Sequence, residues 1–215
     1  MEEPKNAYEA AQLISKELSL PNDFAVCLLR EDDWSFVLKS HALVEACVMC
    51  AFDARFPDRS IREFLKDLSM AKRVDLAKQL GVLSEDMFGP IRTLSRIRND
   101  LAHDVEQVKF TFDTYLADAE KRNAFHGNFL RNASGTFEIG GKKVQRRIFL
   151  KENPKWSIME FLIELLVEVY LQQQKAFLHS TQLGIGEKFL KYLRSSDQDL
   201  SSAGLTQLNS QKGNN

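Results

Sequence analysis

Apolar residues recur along this chain at the three- and four-residue spacing of amphipathic helices, so the pattern predicts an almost wholly helical protein. The first such stretch, Tyr8 to Leu20, stops before Pro21. A longer stretch, Ser35 to Arg55, is apolar on most sides, which predicts a central helix. A second long core helix is predicted from Ser157 through FLIELLVEVY to about His179.

Shorter helices are predicted between these two from signals at their ends. Ser60 and Glu63 have the spacing of a capping box, so a short helix is expected to begin there. Ser69 to Leu80 continues the helical period, and Gly81 is well placed as its C-terminal cap.

Two more helix starts follow from capping residues. Ser84, with two acidic residues behind it, predicts an N-cap and a first turn that suits the helix dipole. That helix is expected to be interrupted at Gly89-Pro90 and to run on to about His103. Ser157 and Glu160 form a second capping box at the start of the late helix.

The segment from Ala124 to Pro154 departs from the helical pattern. Its sequence TFEIGGKKVQRRIFL alternates apolar and polar residues around two glycines, which predicts a β-hairpin with a tight turn. The second arm carries five basic residues with no acidic one between them: Lys142, Lys143, Arg146, Arg147 and Lys151. Two interpretations stay open, a surface that binds nucleic-acid phosphates and a solvated edge whose lysines discourage strand pairing.

Residues 195–215 are polar and poor in apolar side chains, so a disordered tail is predicted there. The remaining residues, 1–194, are expected to form a single helical domain with the hairpin inserted at about 124–154. A chain of 215 residues is long enough for one sizeable core and a tail.

Charge and hydropathy restrict the partners. The net charge of -1 gives no overall attraction to nucleic acid or to a membrane, so any such contact must be local. The N-terminus is acidic and lacks an apolar signal-peptide core, so a cytoplasmic protein is expected. Glu164 and Glu168 interrupt the most apolar run, which therefore predicts a core helix and no membrane span.

The three cysteines do not have the spacing of a disulfide framework. Cys47 and Cys50 form a CxxC, but no second CxxC and no histidine pair at zinc-finger spacing accompanies it. Both lie in the apolar run LVEACVMCAF, so buried thiols are expected instead of a metal or redox centre. Neither a metal nor a cofactor is predicted.

The most chemically suggestive stretch is RNDLAH, from Arg98 to His103. Metal-free cleavage of RNA needs a proton acceptor, a cation for the phosphate and a proton donor. Histidine suits either proton-transfer role, and the planar fork of arginine matches phosphate oxygens. Asn99 could supply an orienting hydrogen bond. The alternative is that these side chains only pack or cap the end of a helix.

Helix geometry adds a requirement to the nuclease interpretation. Asn99 and His103 share a helix face, whereas Arg98 lies about 140° away from His103 around an ideal helix. One histidine also falls short of an acid and base pair. A nuclease would therefore need a two-fold dimer that brings two RNDLAH segments together.

The Arg-x4-His spacing with a polar residue after the arginine resembles the motif of the HEPN superfamily, many of whose members are dimeric metal-independent ribonucleases. More closely, three segments within Ser35 to Asp104 are similar to the mannitol operon repressor (MtlR-like) family. They read SFVLKSHALVEACVMCAF, MAKRVDLAKQLGVLSEDMF and LSRIRNDLAHD.

Glu45 matches the glutamate of that family's central helix. A carboxylate on an apolar helix face needs a partner, and Arg98 or His103 is expected to supply it, either as catalytic support or as structural pairing. His41, one turn earlier, has the spacing to pair with Glu45, but a helix-surface or packing residue is the favoured interpretation.

The resemblance implies an all-α fold, a HEPN-like helical bundle. It also implies a regulatory protein that restrains transcription through protein contacts without its own DNA-binding motif. The alternative is a HEPN-type ribonuclease, a toxin or defence effector, with His103 as acid or base, Arg98 on the phosphate and Asn99 orienting. A homodimer is expected, with a protein partner in the first case and RNA in the second.

Overall fold

Nine helices and one two-stranded sheet make up the described part of the chain, so the prediction of an all-α fold is confirmed. The computed structural model describes residues 21, 23–102, 109–139 and 141–211, with side chains as far as residue 183 except that of residue 139. In chain order the elements are α1 (Phe24–Arg30), α2 (Asp33–Arg55), α3 (Arg59–Lys66), α4 (Met70–Gln79), α5 (Glu85–Ala102), α6 (Phe112–Ala117), α7 (Ala119–Phe129), β1 (Thr136–Ile139), β2 (Lys142–Gln145), α8 (Arg146–Glu152) and α9 (Pro154–Gln211). The helix predicted at Tyr8 to Leu20 lies outside the described residues.

The central helix is α2, as predicted. Asp32 starts it, because its carboxylate accepts a hydrogen bond from the Ser35 N–H at 2.9 Å and so satisfies one of the unpaired donors of the first turn. One broad face of α2 is buried, and it packs against α4 and α5. That face consists of Phe36, Val37, Ser40, His41, Val44, Cys47, Val48, Ala51 and Phe52.

A series of phenylalanine contacts links α2 to the later helices. Phe36 meets Phe112 at a ring-centroid distance of 6.2 Å, and Phe112 meets Phe125 at 6.1 Å. Phe125 lies 4.6 Å from Phe129, which in turn lies 5.7 Å from Phe161. Each such pair contributes about 0.5–1.5 kcal/mol beyond the burial of its area, so α2, α6, α7 and α9 share one aromatic core.

Two capping predictions concern the start of α3 and the end of α4. Asp58, and not Ser60, caps α3: its carboxylate accepts from the Ser60 N–H at 2.7 Å. The predicted capping box is therefore wrong, because the aspartate two residues earlier reaches the same donor. Ser69 caps α4, a role that the sequence analysis did not assign to it. Gly81 follows the end of α4 as predicted, with a φ of 59°, a conformation that glycine adopts without strain.

The helix α5 is continuous, so the predicted interruption at Gly89-Pro90 is wrong. Pro90 has no N–H to donate to the Asp86 carbonyl, which weakens the helix at one point. Phe88 and Ile91 are buried on either side of that point, and their packing holds both halves in one helix.

The predicted β-hairpin is present but shorter than the alternating pattern implied. β1 and β2 pair antiparallel, with Thr136 opposite Gln145 and Ile139 opposite Lys142. The second arm ends at Gln145, where α8 begins. The Arg146 N–H still reaches back to the Gly135 carbonyl at 3.1 Å, and this hydrogen bond closes the open end of the hairpin.

The helix α9 begins three residues before the predicted capping box, because proline suits a first helical turn. Ser157 is buried inside α9, and its hydroxyl donates to the Leu150 carbonyl at 2.7 Å, so Ser157 does not cap the helix. No proline follows Pro154, and α9 runs to Gln211. The helix α9 includes residues 195–211 of the segment for which a disordered tail is predicted, since a polar composition does not by itself prevent helix formation.

The chain divides into two compact units, Met1–Gln172 and Gln173–Asn215. The sequence predicts a domain boundary at residue 194, whereas these compact units divide after residue 172. The buried part of α9 explains why the chain divides near residue 172, because Val169 is the last side chain of the hydrophobic core among the described residues.

One helix in the described part of the chain, Asp33–Arg55, is long and apolar enough to cross a membrane by length and composition alone. In the structure 50% of its apolar window is buried. The core helix of a soluble protein and a signal sequence both pass the same test, so this helix is weak evidence for a membrane span.

Candidate functional site

A polar cluster lies where α2 faces α5, and His41 is its central residue. The imidazole is buried, with 5% of the residue exposed, and its Nε2 lies 3.1 Å from the Ser95 hydroxyl oxygen. Ser95 Oγ is also 2.8 Å from the Ile91 carbonyl, to which it donates its one proton. The His41 Nε2 must then be the donor to Ser95, an assignment that follows from the hydrogen-bond network.

Glu45 and Arg73 form the exposed side of this cluster. A Glu45 carboxylate oxygen lies 4.0 Å from His41 Nδ1 and 3.9 Å from the Arg73 guanidinium. A second contact orients the Arg73 side chain, because its Nε donates a hydrogen bond to the Leu68 carbonyl at 3.2 Å. The carboxylate predicted to be buried is 39% exposed, and the arginine that pairs with it is on α4.

The surroundings of His41 favour its neutral form. Burial lowers the pKa of His41 below the ordinary value, and the positive charges of Arg98 and Arg73 lower it further. The negative charge of Glu45 raises the pKa, but it does not outweigh burial. At neutral pH the cluster therefore holds an uncharged imidazole whose Nδ1 is a proton acceptor.

Arg98 and Asn99 stand at the edge of the cluster, near the end of α5. Arg98 Nη1 donates to the Asn99 side-chain oxygen at 3.3 Å, and Asn99 is exposed. The positive charge of Arg98 lowers the pKa of His41, but the ion pairs and hydrogen bonds of the imidazole and of Glu45 are with Ser95 and Arg73. His103, the predicted acid or base, lies outside the described residues.

The cluster can attract an anion but does not activate a serine. The positive charges of Arg73 and Arg98 and the negative charge of Glu45 act on this region, so a phosphate would meet a local excess of positive charge. A nucleophilic Ser95 would have to donate its proton to His41, and it donates to Ile91 instead. His41 itself is 5% exposed, so what the cluster offers to a ligand is the positive charge at its edge.

Sequence reasoning missed two members of the cluster, Ser95 and Arg73. His41 and Ser95 are 54 residues apart, and no spacing rule links them. Only the pairing of His41 with Glu45, four residues apart on one helix, left a signal in the sequence.

The basic residues predicted to contact nucleic acid separate into two groups. Lys142 and Lys143 are exposed on β2, where Lys143 stands opposite Glu138. Arg146 makes a two-pronged ion pair with Glu160, with Nε at 3.1 Å from one oxygen and Nη2 at 3.0 Å from the other. Arg147 donates to the Leu130 carbonyl at 2.9 Å.

These contacts give two residues of the basic arm a structural role. Both arginines fasten the hairpin region to neighbouring elements, and they stand on α8, not on a strand. Lys142, Lys143, Arg147 and Lys151 keep the exposed placement that the sequence suggested, whereas Arg146 is partly buried.

The cysteines have the environment of structural thiols. Cys47 is buried, and burial raises its pKa to about 12. Cys50 is half-buried, and burial raises its pKa as well. In the described ranges, no group of three or more His, Cys, Asp or Glu side chains is arranged to hold a metal ion.

No protein-family model, no curated protein and no solved structure matches this chain. The similarity to the mannitol-repressor family and to the HEPN superfamily therefore stays a prediction. It depends on the three sequence segments that carry it and on the RNDLAH motif.

Proposed function

We propose that this chain is a regulatory protein of the mannitol-repressor type, which acts by binding protein partners. The observation that carries the proposal is a group of large apolar side chains on α9 that are open to solvent. Phe177, Leu178 and Leu183 are 66%, 58% and 57% exposed. Three large apolar side chains exposed within two turns of one helix favour a partner that covers this part of α9.

The polar cluster has a structural role in this proposal. His41 is buried and hydrogen-bonded between α2 and α5, and the pairing of Glu45 with Arg73 adds α4. The protein would act in the cytoplasm as a homodimer without a DNA-binding motif of its own. Its helices would form a HEPN-like bundle, with the hairpin as an insert.

Transcript levels in the native host test this regulatory role. We expect the wild type to change the level of a defined set of transcripts. The double variant Phe177→Glu/Leu178→Glu should lose that effect because it charges the apolar surface. The variant Gln174→Glu/His179→Glu is the matched control, since it adds two carboxylates at exposed polar positions of the same helix. Full regulation by a folded double variant would contradict the proposal.

A second candidate is a metal-independent ribonuclease, and one observation favours it. Arg98 and the exposed Asn99 border a cluster that contains a neutral imidazole. In this function Arg98 would bind the phosphate, Asn99 would orient the substrate, and His103 would serve as acid or base. Glu45 would support the cluster, and the exposed Lys142 and Lys143 would contact RNA phosphates.

An RNA cleavage assay in EDTA separates the two functions. A nuclease predicts cleavage by the wild type that is lost in both His103→Ala and Arg98→Ala. Arg92→Ala is the control, because Arg92 is an exposed arginine on the same helix that pairs with Asp75 at 2.7 Å. If a folded, dimeric wild type left the RNA intact, the ribonuclease would be excluded.

A further inference from the structure

A surface cavity of about 280 Å³ opens where the starts of α2 and α6 meet the junction of α8 and α9. Its walls include Leu29, Phe112 and Pro154, so part of the lining is apolar. Around these apolar side chains stand carboxylates, one lysine and an indole. The cavity shares no residue with the polar cluster around His41 or with the exposed apolar residues of α9.

Two of the charged groups in the cavity neutralise each other. Lys155 Nζ lies 3.0 Å from one carboxylate oxygen of Asp33, and the other oxygen accepts from the Phe112 N–H at 2.8 Å. Lys155 also donates to the Glu31 carbonyl at 2.5 Å. This ion pair fastens α2 to the starts of α6 and α9, and its charges cancel.

Two carboxylates remain. Asp113 and Glu152 both line the cavity and are exposed, and neither forms a hydrogen bond or an ion pair within the part of the chain that the structure describes. With the Asp33–Lys155 pair neutral, these two groups leave the cavity with a negative charge. A cation entering it would therefore meet two carboxylates.

The indole of Trp156 gives the cavity an aromatic wall. Trp156 is 44% exposed, although large aromatic side chains are usually well buried. Phe149 supports it, with ring centroids 6.1 Å apart, and Phe137 of β1 supports Phe149 in turn at 5.1 Å. The hairpin thus holds the tryptophan in place, and a tryptophan face attracts cations more strongly than other aromatic rings do.

We propose that this cavity binds a guanidinium group, which lies against Trp156 and pairs with the carboxylates of Asp113 and Glu152. A guanidinium suits both surfaces, because it is planar, stacks on aromatic faces and pairs with carboxylates in fixed geometry. The volume is close to the lower limit for small-molecule pockets and accommodates one arginine side chain. The group comes either from a free cation or from an arginine of a bound peptide.

Binding is measured on the full-length ¹⁵N-labelled protein through the indole N–H signal of Trp156, assigned with Trp156→Phe. The probe is Nα-acetyl-arginine methylamide. Its neutral isostere, Nα-acetyl-citrulline methylamide, has the same shape without the charge. We expect the arginine probe to shift the Trp156 signal in a saturable way and the citrulline probe to leave it in place.

Variants test the assigned groups. Asp113→Asn/Glu152→Gln should weaken binding of the arginine probe by about tenfold or more, because it removes both unpaired charges from an exposed surface. Glu120→Gln, an exposed carboxylate of α7 outside the cavity, should not change the affinity. Both variants change surface side chains only, and circular dichroism of each is the check that it folds.

Two further probes identify the source of the guanidinium. A blocked Ala-Ala-Arg-Ala-Ala peptide that binds more tightly than methylguanidinium would indicate a peptide arginine, and equal binding would indicate a free cation. Equal shifts from the arginine and citrulline probes, or an unchanged affinity in the double variant, would overturn the proposal. These results do not depend on transcript levels or RNA cleavage, so they stand apart from the tests of the proposed function.

Discussion

At the level of single residues, tertiary position decides what His41 can do. Its spacing to Glu45 predicts a charged pair on one helix face, but the imidazole is buried and Glu45 Oε1 is 4.0 Å away. Burial and two arginines favour the neutral ring. The partner that fixes the orientation of the ring is Ser95, on another helix. His41 is thus a buried proton acceptor, and a surface ion pair is excluded.

The stability of the protein should fall in mild acid, and His41 should account for part of the loss. Its pKa in the folded state is lowered from 6.5, so the unfolded chain binds the proton first as pH falls. The stabilisation is fully present above the unfolded pKa and decreases as pH falls from there towards the folded pKa.

Urea unfolding at several pH values measures this effect. We expect His41→Gln to be less stable than the wild type at neutral pH by about 1–3 kcal/mol, because a buried hydrogen-bonded ring is lost. Its free energy of unfolding should also depend less on pH. Some dependence remains, since burial lowers the pKa of His126 too. The exposed His179→Gln serves as control, and an unchanged pH slope in His41→Gln would refute the assignment.

The three cysteines should differ in their reaction with iodoacetamide. At about pH 8 a thiol whose pKa is about 12 is ionised to roughly one part in ten thousand, so Cys47 should stay unmodified in the folded protein. Cys27 is exposed and should react first, although its hydrogen bond to the Asp23 carboxylate raises its pKa. Mass spectrometry of peptides reads the result. In urea all three should react alike, and early labelling of Cys47 without urea would contradict its burial.

At the level of elements, the sequence predicts where helices lie better than how they begin. The long helix around Ser35 to Arg55 and the glycine predicted to follow α4, Gly81, agree with the structure. Ser60 was wrong as a cap because Asp58 reaches its N–H first. Pro90 does not interrupt α5, since packing from both sides outweighs one missing hydrogen bond. Local signals do not contain that packing, so they could not predict it.

The close approach of α5 and α7 depends on a glycine. A Cβ on Gly89 would lie 2.3 Å from the side-chain oxygen of Asn128. Asn128 is not free to move, because its Nδ2 donates to Thr93 Oγ1 at 2.8 Å and to the Ala124 carbonyl at 2.9 Å. Gly89→Ala should therefore lower the free energy of unfolding by about 1–3 kcal/mol.

Gly127→Ala is the matched control for that substitution. Gly127 is a helical glycine next to Asn128, and a Cβ there meets nothing within 4 Å. It should raise the free energy of unfolding by about 0.5–1 kcal/mol, because alanine loses less conformational entropy in a helix. Urea midpoints of the two variants should thus move in opposite directions. If both urea midpoints moved in the same direction, a steric clash with Asn128 would not be the reason that position 89 requires glycine.

At the level of the whole molecule, the periodic pattern predicted the helical class. It could do so because the residues that a helix buries recur every three or four positions along the sequence. The site was less predictable. The charges of Glu45 and Arg98 do act on one imidazole, but Arg73 and Ser95 reach the cluster from helices that only folding brings together. The cavity beside Trp156 is assembled from four separate segments and left no motif in the sequence.

The core should fold without the second unit, and a pair of truncations tests this. A chain that ends at Gln172 keeps every described core residue, the last being Val169, and also the hydrogen bond from Gln172 to the Val82 carbonyl at 2.6 Å. A chain that ends at Glu160 loses five buried side chains of α9, each worth about 1.5–3 kcal/mol, and their sum is comparable to the whole stability of a domain. We expect cooperative thermal unfolding by circular dichroism in the truncation at Gln172 and none in the truncation at Glu160.

The truncation at Gln172 should also lose transcript regulation, because it lacks Phe177 and Leu178. If this truncation folded and regulated fully, the proposed partner surface would have to lie in the unit Met1–Gln172.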